Sequence, residues 1–79
     1  MSKKKNENLI NKLGKVMLNK LEDNDHQSGW KDCTMSYFFN RVEQEVDELR
    51  DALFDGDKEE IKSECADVAN FCAMIIDNL

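Results

Sequence analysis

A single break, Asp55-Gly56-Asp57, separates two long stretches in which apolar residues recur at helical spacing, and no proline falls anywhere in the chain. Glycine readily takes the left-handed conformation that ends a helix, and Asp57 followed three positions later by Glu60 is a capping-box-like restart. Before the break, Met35, Phe39, Val42, Val46, Leu49 and Leu53 mark one side of a helix that runs to about Phe54, with Asp32 or Thr34 as its cap. After it, Ile61, Cys65, Val68, Cys72, Ile75 and Leu79 form one stripe to the end. Helices joined by so short a connection lie antiparallel, so the pattern predicts a helical hairpin. An earlier helix, from about Asn6 to Glu22, carries Leu9, Leu13, Val16, Met17 and Leu21, and tolerates Gly14 at about 1 kcal/mol relative to alanine. The polar run from Asp23 to Gly29 interrupts it. The expected fold is all-α: one domain over residues 1–79, with residues 1–5 as a frayed N-terminus.

A chain of 79 residues buries only about 60% of its unfolded surface, which leaves a marginal core. The third helix adds Ala66, Ala69, Phe71, Ala73, Met74 and Ile76 around its stripe, and a helix apolar nearly all round needs cover on several sides. Three helices hardly supply that cover, so the pattern predicts a homo-oligomeric bundle, dimer or tetramer. Seventeen acidic residues against eleven basic ones give a net charge of -6, with no basic stripe beyond Lys3-Lys4-Lys5, and this argues against a nucleic-acid partner. With no signal peptide or long apolar run, no membrane partner is expected and the chain reads as cytoplasmic. Its three cysteines, Cys33, Cys65 and Cys72, show no CxxC spacing and read as reduced, the latter two as small buried thiols on an apolar face.

The two hairpin helices carry the same acidic pattern, Glu45-Val46-Asp47-Glu48-Leu49 and Glu64-Cys65-Ala66-Asp67-Val68. A single pair of acids three apart is ordinarily a solvated helix face. Here the pairs are matched about Gly56. Glu48 and Glu64 each lie eight residues from it (56 − 48 and 64 − 56), and Glu45 and Asp67 each lie eleven (56 − 45 and 67 − 56). In an antiparallel hairpin those pairs sit level, with about 5 Å between the two levels. At about 100° per residue, both pairs also flank their apolar stripe with the same hand, which turns all four carboxylates to one side of the hairpin.

Four converging carboxylates raise one another's pKa unless a cation compensates them. An all-oxygen set without histidine or cysteine favours Mg²⁺, with Mn²⁺ as the alternative, and such an ion keeps open positions for the phosphate oxygens of a nucleotide. Arg41 and Asn70, one turn outside the band, are candidate contacts for a phosphate oxygen or for the metal's water shell, and Lys31 is a candidate phosphate contact if its loop folds over the acids. Trp30 is equally readable as a nucleobase platform or as a pin for its loop; Tyr37 and Phe38 are further stacking candidates. Lys62 points away from the band by its helical angle, and His26 reads as a solvated loop residue.

The pair Glu45-x-x-Glu48, followed after a short hairpin by Glu64-x-x-Asp67, resembles the signature of the MazG-like all-alpha nucleoside triphosphate pyrophosphohydrolases, a superfamily that includes the dimeric dUTPases. The stretches Gly29-Trp30-Lys31-Asp32-Cys33 and Glu64-Cys65-Ala66-Asp67-Val68-Ala69-Asn70-Phe71 are similar to small MazG-like proteins of phages and their bacterial hosts. The resemblance implies Mg²⁺ on Glu45, Glu48, Glu64 and Asp67, hydrolysis of an NTP or dNTP to NMP and pyrophosphate, a glutamate (Glu45 or Glu48) orienting water, and assembly into dimers or tetramers. Many members of that superfamily continue past the second acidic motif into a segment with basic and amide residues. Here the sequence ends at Leu79, so Arg41, Lys31, Lys62 or a neighbouring subunit is left to neutralise the triphosphate. The alternative is a non-catalytic protein on the same fold that binds or sequesters a nucleotide.

Overall fold

The computed structural model describes residues 2–23 and 29–79. They form α1 (Lys3–Asp23), a single 3-10 turn (Trp30–Asp32), α2 (Met35–Asp55) and α3 (Lys58–Asp77), with no strand among the described residues. The helical boundaries follow from local chemistry. The Thr34 hydroxyl, rather than the Asp32 carboxylate, accepts the Tyr37 amide at 3.1 Å and caps α2. Gly56 ends α2 at φ 77, its amide donating to the Ala52 carbonyl at 2.9 Å. The Asp57 carboxylate then accepts the amides of Glu59 and Glu60 and starts α3 at once. α1 begins at Lys3, so the Lys3–Lys5 run forms its first turn. His26 lies outside the described residues.

α3 is the central element: it packs against α2 along the hairpin and against α1 on another side, and it meets the 3-10 turn near its C-terminal end. Its contact with α1 is fastened by Asn70, 5% exposed, whose side-chain amide donates to the Met17 carbonyl at 3.1 Å. Among the described residues the fully buried apolar core is small, consisting of Phe38, Ala52 and Ala66. The alanines let helices approach closely, and Phe38 is the large side chain that is fully buried. Cys65 is half-buried, whereas Cys72 is exposed with its neighbours Ala73 and Ile76, contrary to the buried thiol expected of it. The reason is geometric, since α1 and α2 cover two sides of α3 and leave that side to solvent.

The two glycines of the helical segments test this account in opposite directions. Both offer open space to a Cβ, so only backbone conformation distinguishes them. Gly56→Ala should cost about 1 kcal/mol in urea unfolding because alanine resists positive φ, whereas Gly14→Ala inside α1 should gain about 0.5–1 kcal/mol.

Candidate metal centre and adjoining cavity

The level pairing about Gly56 brings Glu45, Glu48 and Glu64 together: one carboxylate oxygen of each lies within 4.8 Å of the others. Glu45 is 5% exposed, Glu64 half-buried and Glu48 exposed, so the cluster opens to solvent on the Glu48 side. Burial, then the Glu48 and Asp67 carboxylates, push the Glu45 pKa up to about 7 despite the Arg41 guanidinium beside it. Burial also raises the Glu64 pKa, helped by the charges of Glu48 and Asp67 and opposed by Lys20. Glu45 Oε2 and Glu64 Oε2 are buried with no hydrogen-bond partner. An acceptor in that position is costly unless a cation or proton meets it.

The fourth acid has a different neighbour. Asp67 Oδ1 lies 3.2 Å from Lys20 Nζ, which also donates to Ser63 Oγ at 2.7 Å, so α1 delivers a positive charge to the flank of the cluster. Asp67 still acts on Glu45 and Glu64 through its field. Lys20 carries no signal in the sequence, because its reach depends on how α1 packs against α3.

Of the candidate phosphate and base contacts, Arg41 is next to the acids. Its Nη2 is 2.8 Å from Glu45 Oε1, its Nη1 donates to Gln44 Oε1, and its guanidinium stacks 4.9 Å from the centre of the Phe71 ring. Arg41 and Phe71 are each fifteen residues from Gly56 (56 − 41 and 71 − 56), so the hairpin register that pairs the acids pairs these residues too. Beyond them lies a cavity of about 280 Å³ lined in part by Trp30, Tyr37, Phe38, Arg41, Phe71 and Met74. Phe71 and Met74 entered the sequence reading only as apolar residues around the stripe of the third helix, although the same counting about Gly56 places Phe71 level with Arg41 and Met74 level with Phe38.

The remaining candidates are engaged elsewhere. Trp30 Nε1 donates to Asp77 Oδ2 at 2.9 Å and Lys31 Nζ sits 2.9 Å from the same oxygen, which lowers the Asp77 pKa. Trp30 is therefore both the pin of its loop and a wall of the cavity. Asn70 faces α1, and its Oδ1 is buried without a partner. Lys62 pairs with Glu59 on the exposed face of α3. No described helix is long and apolar enough to cross a membrane.

The sequence model of the phosphoribosyl-ATP pyrophosphohydrolase family matches residues 10–78 of the chain. That span takes in the whole hairpin and most of α1. No curated protein sequence and no solved structure matches at a significant level.

The raised Glu45 pKa has a measurable consequence. Between 4.5, its ordinary value, and about 7 the folded chain retains a proton that the unfolded chain releases, so this group lowers stability as pH rises through that window. Melting temperatures without divalent metal should carry this downward contribution, and Glu45→Gln should remove it from the slope. Glu48→Gln should raise the metal-free melting temperature by relieving repulsion. A divalent cation held by the ionised carboxylates would stabilise the protein more near neutral pH than near pH ~5, which Mg²⁺ titrations of the melting temperature test. A Glu45→Gln protein with an unchanged slope would contradict the assignment.

Proposed function

The chain belongs to the phosphoribosyl-ATP pyrophosphohydrolase family, within the MazG-like all-alpha pyrophosphohydrolases, and from that premise we propose that it hydrolyses an NTP or dNTP to NMP and pyrophosphate with Mg²⁺, or Mn²⁺ in its place. The observation that carries the reading is the group of three carboxylates, two of them with a buried, unpartnered oxygen. Hard oxygen donors at this spacing suit a hard divalent cation, and those unpartnered oxygens are acceptors that such an ion would satisfy. Glu45, Glu48 and Glu64 would hold it, with Asp67 as a fourth ligand if the substrate's arrival draws Lys20 away. When bound, the ion supplies Lewis-acid polarisation of a phosphoryl oxygen and neutralises phosphate charge.

The chain's own groups account for the rest of the chemistry. Glu48 faces solvent at the mouth of the cluster, where a substrate-side water can hydrogen-bond to it. Accepting that water's proton as its oxygen bonds to phosphorus, while the bond between the α- and β-phosphate groups breaks, is its proposed role. Glu45 holds the Arg41 guanidinium at 2.8 Å and so fixes a positive charge beside the path of the phosphates. Lys31, a further sequence candidate, pairs with Asp77, ten residues beyond Asp67 on α3 (77 − 67) and so about 15 Å further from the corner, and it is not assigned to the phosphate path in this reading. Asn70 acts through the α1–α3 contact, holding the helix that carries Glu64 and Asp67.

The reading includes a homo-oligomer. Leu9 and Ile10 on α1 and Phe39, Leu53 and Phe54 on α2 are all more than half exposed, apolar side chains of the kind that a second copy covers.

A panel of NTPs and dNTPs, with phosphoribosyl-ATP included because the family carries its name, should show Mg²⁺-dependent pyrophosphate release from at least one member. Glu48→Gln and Glu64→Gln should each lower kcat/KM on the order of 100-fold or more while the helical content is kept. Tight, metal-independent binding of one nucleotide without turnover of any would replace the enzyme with the sequestering protein.

A further inference from the structure

The cavity beyond Arg41 is built from planar and apolar groups and shares a wall with the acid cluster. Its volume, about 280 Å³, lies at the lower edge of the range of about 300–1,000 Å³ for small-molecule pockets, which suits one ring system better than a whole nucleotide. Trp30 comes from the 3-10 turn, Tyr37 from the first turn of α2 and Phe71 from α3, so three separate elements present aromatic side chains to one space. Tyr37 is 46% exposed and packs edge-on to Phe38 at 5.8 Å, leaving ring surface available to an incoming group. Trp30 is fixed by its bond to Asp77, and a wall pinned in advance loses little freedom when a ligand arrives. The one charged residue among the described lining, Arg41, lies on the side of the cavity that faces Glu45.

We propose that this cavity seats the nucleobase of the substrate, with Trp30 and Tyr37 as its specificity-determining walls and Arg41 marking where the base ends and the phosphates begin. The inference rests on the pyrophosphohydrolase reading for the identity of the ligand. Arg41 and Glu45 are one helical turn apart, about 6 Å along α2, a span that a sugar bridges when the base lies in the cavity and the phosphates lie at the acids. A negatively charged group suits the Arg41 end, whereas the aromatic end offers stacking that tolerates any base and shape that selects among them.

The test uses binding as well as turnover. Trp30 is the only tryptophan, so its indole resonance and fluorescence report this cavity alone. Nucleoside monophosphates titrated to millimolar concentration into the metal-free full chain should shift the Trp30 indole signal saturably, one base more strongly than the others. Tyr37→Ala, at a half-exposed position that leaves the acids intact, should weaken that binding at least tenfold. With the preferred triphosphate and Mg²⁺, the same variant should raise KM at least tenfold and change kcat less. Saturable shifts that spare Trp30, the absence of any shift, or a Tyr37→Ala protein with unchanged affinity and KM would each overturn the base seat. Pyrophosphate release that persists in that case would leave the enzyme standing without it, and base-selective binding without turnover would leave the seat standing without the enzyme.

Discussion

Three carboxylates whose oxygens lie within 4.8 Å of one another, one of them almost wholly buried, repel one another in the absence of a positive partner. The protein answers that repulsion only in part. Arg41 covers one oxygen of Glu45, Lys20 stands beside Asp67, and the inward oxygens of Glu45 and Glu64 are left without partners. A proton would relieve that repulsion at low pH, and in the proposed function a divalent cation would relieve it at neutral pH. The stability of the hairpin, its response to pH and its chemistry are thereby coupled through one cluster.

The hairpin makes the cluster possible because its corner is unambiguous. Gly56 in a left-handed conformation and Asp57 as an immediate cap fix the register of α3 on α2, and from that register the acids, the Arg41–Phe71 stack and the cavity fall at successive levels away from the corner. Ala52 and Ala66, both buried, allow the close approach that the site requires. α1 then serves the cluster from the other side of α3 by delivering Lys20 and by accepting the Asn70 amide at Met17.

Much of this was legible in the residues. Counting outward from Gly56 placed Glu48 level with Glu64 because helical rise is uniform and the connection is too short to shift it. The caps at Thr34 and Asp57 were legible for the same local reason. What escaped was every contact that crosses the long separation between α1 or the 3-10 turn and α3. Lys20 meets Asp67, and Trp30 and Lys31 meet Asp77, through packing that no periodicity encodes. The exposure of Cys72 escaped likewise, since an apolar stripe states which side of a helix prefers cover and not whether a single chain supplies it.

The central claim is that Glu45, Glu48 and Glu64 hold one divalent cation between them. Anomalous diffraction from crystals grown with Mn²⁺ tests it directly. The account predicts one strong peak within coordination distance of carboxylate oxygens from all three residues, lost in crystals of Glu64→Gln. A peak elsewhere on the chain, or none at these acids at saturating Mn²⁺ near neutral pH, would contradict it.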